Sequence, residues 1–160
     1  MEQISILDAL NHHRMLKLSF LLILVTSCQS TFCQINHPKN KQEIIGICDK
    51  FMDTFKNGKY TEAFDLIKPY TVIEDYKLDT LAYKAKQQMI SLSSSFGKVL
   101  STELIVQKVG KNTLSKLIYV LKFEKSFLKF SFVLYNNGNG WSITNFKYDE
   151  EMDELFSPLQ

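Results

Sequence analysis

The sequence predicts an α+β domain: three helices, then a four-stranded antiparallel sheet, with a short C-terminal helix. Three observations carry this. Apolar residues recur at helical spacing between Ile44 and Phe96. From Val99 the pattern changes to period two, or to buried runs rich in β-branched and aromatic residues. The joins between those later runs are too short for a parallel crossover, which needs about a dozen residues, so neighbouring strands must be antiparallel. Helices and strands grouped in separate halves of a chain give helices packed on one face of a sheet.

The first helix follows a polar connector, residues 34–42, that contains Pro38. Ile44, Ile45, Cys48, Phe51, Met52 and Phe55 form one continuous face, and Asn57-Gly58 ends it. A short second helix runs from Thr61 to about Lys68, with Ala63, Phe64 and Ile67 inward and Pro69 as its stop. Residues 70–77 read as a loop or short extended piece. The third helix is expected over about Asp79 to Phe96, on Leu81, Ala85, Met89, Leu92 and Phe96, with Asp79-Thr80 as a capping start and Gly97 as its end. Strands are expected at 99–109, 113–124, 127–136 and 141–148. Their joins are Gly110-Lys111-Asn112, a tight turn around Glu124–Ser126, and Asn137-Gly138-Asn139-Gly140, the strongest hairpin signal in the chain. Asp149-Glu150-Glu151 would open the C-terminal helix with its acids at the favourable end.

Residues 1–33 read as an N-terminal extension and signal peptide. The run from Leu18 to Val25, after Arg14 and Lys17, is far shorter than the roughly 20 residues a membrane span needs, but fits a signal-peptide core. Glu2 and Asp8 make residues 1–14 a poor signal start, which points to Met15 as the initiator. His12 and His13 would then be absent from the mature chain. Val25-Thr26-Ser27-Cys28 resembles a lipobox, with Cys28 the lipidated residue. Ordinary cleavage after Cys33, leaving Gln34 first, and a retained apolar segment are the other readings. The Phe-x-Gln ending at Phe32-Cys33-Gln34 resembles those of secreted Bacteroidetes proteins. Under every reading the domain, 43–156, is exported to the periplasm or outer membrane, or secreted, and meets a membrane only through signal or anchor.

Composition removes several classes of function. In 160 residues, 45% are hydrophobic and 22% charged, which are globular proportions. Nineteen Lys and Arg against 17 acids leave no basic excess for nucleic-acid binding. The single arginine, Arg14, precedes the domain, so phosphate or carboxylate could be met there only by the point charge of Lys. Cys48 is the one cysteine certain to lie in the domain, on the apolar stripe of the first helix. It reads as a small buried hydrophobe, and neither a disulfide, a zinc set nor any other cofactor is implied.

The segment FMDTFKNGKYTEAFDLIKPYTVIED, together with NGNGWSITNFKYDEE late in the chain, resembles the nuclear transport factor 2-like superfamily, which includes the ketosteroid isomerases and many bacterial domains of unknown function. The resemblance spans residues 43–156. It implies a curved sheet wrapped around the helices as a cone, with a pocket at the open end. Counting from Gly58, the isomerases' general base falls on Asp75, which makes Asp75 the one catalytic candidate. Their oxyanion-stabilising tyrosine falls on Phe51, which has no hydroxyl. Loss of oxyanion donors costs about 10²–10³-fold in rate, which weighs against isomerase activity. The expected pocket lining is Phe51, Phe55, Asp75, Met89 and Tyr119.

Phe123, Phe127, Phe130, Phe132 and Tyr135 cluster on two adjacent strands, as sheet packing favours. Lys122, Lys125 and Lys129 read as a solvated edge around that hairpin. Leu117, Tyr119 and Leu121 should face the helices, with Ile118 and Val120 on the opposite, equally apolar face. An apolar outer face suggests a cover, either a second subunit paired through the sheet or the C-terminal helix. The expected function is a non-catalytic envelope domain binding a small apolar ligand or a protein partner. The alternative is an isomerase, lyase or hydrolase that uses Asp75.

Overall fold

The computed structural model describes residues 35–151, and Cys28, Cys33 and the expected C-terminal helix beyond Glu151 lie outside them. Asn40 caps helix α1, Lys41–Lys56, its side-chain oxygen accepting the Gln42 N–H at 2.9 Å. Residues 41 and 42, expected in the connector, are therefore helical. Helix α2, Tyr60–Ile67, buries Ala63, Phe64 and Ile67 and runs into one 3₁₀ turn, Lys68–Tyr70. Helix α3 spans Asp75–Phe96 and starts four residues before the expected Asp79. The reason is local. The Glu74 carbonyl accepts the N–H groups of Lys77 and Leu78, and Leu78 is fully buried, so the apolar stripe begins a turn early. Thr80, read as part of a cap, instead returns its hydroxyl to the Tyr76 carbonyl at 2.8 Å, as a mid-helix threonine does. The buried stripe is accordingly Leu78, Ala82, Ala85 and Met89, with Leu81, Leu92 and Phe96 half-buried beside it.

Four antiparallel strands follow in sequence order: β1 Val99–Gly110, β2 Leu114–Phe123, β3 Phe127–Asn136 and β4 Trp141–Asp149. Every strand boundary lies within one residue of its expected place. The register slips between Leu104 and Val106, and Ile105 is left 47% exposed on edge strand β1. Leu117, Tyr119 and Leu121 of β2 join Leu128, Phe130, Phe132 and Leu134 of β3 in the core formed with the helices. Ile118 and Val120, on the other face of β2, are 0% and 5% exposed.

Two contacts tie irregular segments to the sheet. Thr71 pairs in parallel with Ile143, its hydroxyl donating to the Ile143 carbonyl at 2.8 Å. The connector is also held: the Pro38 carbonyl accepts the Trp141 N–H at 2.8 Å, and Lys39 Nζ donates to the Asn139 carbonyl at 2.7 Å. Gly140, at φ +143°, permits this approach, because a Cβ there would lie 2.5 Å from the His37 carbonyl oxygen.

The solvated lysine edge needs one correction. Lys129 is 2% exposed and pairs with Asp149, its neighbour in register across β3 and β4, at 2.9 Å. Asp149 is the last residue of β4 rather than the first turn of a helix.

Candidate functional site

The interior of the helix-and-sheet layer is built from aromatic rings. Phe51 projects from the middle of α1 and meets Phe64 at 5.2 Å, Phe146 at 5.3 Å and Phe132 at 5.4 Å between ring centroids, all tilted or edge-on. Phe55, one turn on, meets Phe130 at 4.9 Å. These are favourable edge-to-face distances. Phe51 and Phe55 are 0% and 1% exposed, Met89 4% and Tyr119 3%. Four of the five expected lining residues therefore share one packed core. Asp75 stands apart from them, exposed as the first residue of α3, where a carboxylate complements the helix dipole.

The polar margin of this core lies between α1 and β2. The Tyr119 hydroxyl donates to Asp49 Oδ1 at 2.7 Å. Burial first, and then this bond, push the Tyr119 hydroxyl pKa well above the ordinary tyrosine range. Beside it Cys48 is fully buried and free, and burial first, then the Asp49 charge, push its thiol far up. A thiol held neutral is a poor nucleophile, and a tyrosine held neutral is a hydrogen-bond donor rather than a base. The pair joins two elements. The sequence showed Cys48 on the stripe, but nothing in it foretold the Tyr119–Asp49 bond, because the partners lie 70 residues apart on different kinds of element.

The surface offers a different kind of site. At the β1–β2 hairpin end of the sheet, Val109, Leu114 and Val133 line a groove of about 340 Å³ with Lys108, Gly110, Ser115 and Lys116. Val109 is 53% exposed and Leu114 47%. Lys108 and Lys116 face one another in register across the two strands. A second depression, about 430 Å³, lies beside Thr54, Glu62, Asp65 and Leu66, but its carboxylates are bound to cations: Glu62 to Lys59 at 2.9 Å and Asp65 to Lys68 at 2.7 Å. The sheet groove was not foreseen. The one available signal was an apolar residue on each side of the Gly110-Lys111-Asn112 turn, and both are exposed at that end of the sheet. Among the described residues, no group of three or more His, Cys, Asp or Glu is arranged to hold a metal ion. No helix among them is long and apolar enough to cross a membrane.

Three helices followed by an open antiparallel meander is the element order that the sequence resemblance implied. No family model matches the chain, and no curated protein matches it. Among solved structures, the chain is similar to an NTF2-like transpeptidase from Campylobacter jejuni, at 12% identity and a TM-score of 0.42, over 66% of this chain and 99% of that one. It is also similar to a DUF4783 family protein from Bacteroides uniformis, at 15% identity and a TM-score of 0.36, over 62% of this chain and 93% of that one.

Proposed function

We propose that this chain is a non-catalytic binding domain of the cell envelope, exported or lipid-anchored at Cys28, whose groove at the β1–β2 hairpin end of the sheet takes a small apolar ligand or an apolar segment of a protein partner. The observation that carries the reading is the contrast between interior and groove. The interior positions are occupied by interlocked Phe side chains, whereas Val109 and Leu114 present apolar surface to solvent at a concave edge. Exposed apolar concavities of this kind are where proteins place ligands and partners. Asp75 lends the enzymatic alternative little support, since it is exposed at the start of α3, apart from the core that holds the other four expected lining residues.

The test is native mass spectrometry of the full chain purified from its own host, alongside Leu114→Asp and Asp75→Asn variants. A co-purifying apolar molecule or protein that is lost with Leu114→Asp and kept with Asp75→Asn supports the groove. Loss with Asp75→Asn alone would sink it. Intact mass of the same material separates a diacylated Cys28 from an unmodified chain beginning at Gln34.

A further inference from the structure

Helix α3 has two apolar stripes, and the core uses only one. Leu78, Ala82, Ala85 and Met89 face inward. Tyr76, Tyr83 and Ile90 are 64%, 65% and 59% exposed. They are spaced by seven residues, which at about 100° per residue keeps them within about 40° of one another, about 130° round from the buried stripe. Thr80, Gln87 and Ser94, all exposed, fill the positions between. Three large apolar side chains on the outward face of a long helix form a seam that lacks a second helix.

We propose that the second helix is α3 of another copy of this chain, packed antiparallel about a two-fold axis at Tyr83. Ionic complementarity selects this occupant and this direction. Asp79 and Lys86, both exposed, flank the stripe on the same side, and Tyr83 lies between them, one helical turn from each. An antiparallel pair centred on Tyr83 sets Asp79 of each copy beside Lys86 of the other, and Tyr76 against Ile90. A parallel two-fold pair would carry the two Asp79–Lys86 flanks to opposite sides of the seam, where neither flank meets the other. Asp79 is not consumed by its bond to Lys68, because Lys68 also holds Asp65 at 2.7 Å and Asp79 remains 59% exposed. Val72, 51% exposed just before the helix, extends the apolar surface at each end. The centre of the sheet's outer face offers less to a partner, since Ile118 and Val120 are already buried in the single chain. One helix pair is small for a protein interface, so the dimer is a weak one.

Cysteine crosslinking of the full chain tests the contact. Under mild oxidation, Tyr83→Cys should give a disulfide-linked dimer beyond the background that Cys28 and Cys33 produce in the parent. Leu114→Cys, in the sheet groove, should not. A dimer from Leu114→Cys equal to or greater than that from Tyr83→Cys, or none from either, overturns the proposal. Sedimentation of the full chain tests the register. Asp79→Lys should weaken association by about fivefold, and adding Lys86→Asp should restore it. A double variant no tighter than the single one overturns the antiparallel pairing.

Discussion

The Tyr119 hydroxyl and the Asp49 carboxylate, 2.7 Å apart, bind the centre of β2 to the middle of α1. The bond lies at the edge of an otherwise apolar contact, so it positions the helix on the sheet as well as stabilising it. Tyr119→Phe keeps the ring against Phe132, 5.7 Å away, and removes only the oxygen. Asp49 is exposed and can return to water, which limits the expected loss to about 1–1.5 kcal/mol. Urea unfolding with an unchanged m-value would show it. A loss above about 3 kcal/mol would mean that Tyr119 holds more than this bond.

Phe51 is the hub of the aromatic core, and Phe51→Ala should cost about 4 kcal/mol as a cavity that its rigid neighbours cannot collapse into. Phe51→Leu should cost less than half of that. Equal losses in thermal or chemical melts would contradict a tightly packed site.

Asp149 supplies the acid-sensitive contact. Burial pushes its carboxyl up, but Lys129, Lys147 and the Glu151 N–H together hold it below the ordinary aspartate value. A folded-state pKa below the unfolded one adds stability that is complete above the unfolded value, near 4, and is lost as pH falls through the folded one. Asp149→Asn should therefore cost about 3 kcal/mol at neutral pH, and the gap to the parent should close below about pH 4. A constant difference from pH 7 to pH 2 would refute the linkage.

Cys48 should stay silent toward thiol reagents in the native chain, because a buried neutral thiol is unreactive. Alkylation followed by peptide mapping should label it only at the rate of unfolding. Rapid labelling without denaturant would show an open path to it.

Gly140→Ala should destabilise the fold by about 2 kcal/mol. It both forces a side chain into φ +143° and drives a Cβ against the His37 and Pro38 carbonyls. Differential scanning calorimetry would measure it, and a neutral result would mean that the connector is not bound there in solution.

The elements themselves were legible because each is written in local signals. The α1 stripe, the Asn-Gly stop and the Asn-Gly-Asn-Gly hairpin depend on neighbours within a few residues. The α3 start was misplaced for an equally local reason: Asp79-Thr80 carries cap chemistry, but the burial of Leu78 outweighs it. Lys129 was misread because only tertiary register shows that Asp149 stands opposite it. The groove at Val109 and Leu114 escaped for the same cause. Alternation announces which residues share a face, and cannot announce that a strand lies at an edge.

The Pro38–Trp141 hydrogen bond joins the first described residues of the domain to its last hairpin, across 102 intervening positions. Such a contact cannot form while the chain is being made or threaded until its final strand has emerged. Antiparallel pairing of β3 with β4 must come first, since it builds the Gly140 cradle that receives the connector. Non-local closure of this kind is slow and comes late in folding. Residues 38 and 39 therefore gain this anchorage only once the last hairpin has formed. The last hairpin is thus the latch for the residues that lead into the first helix.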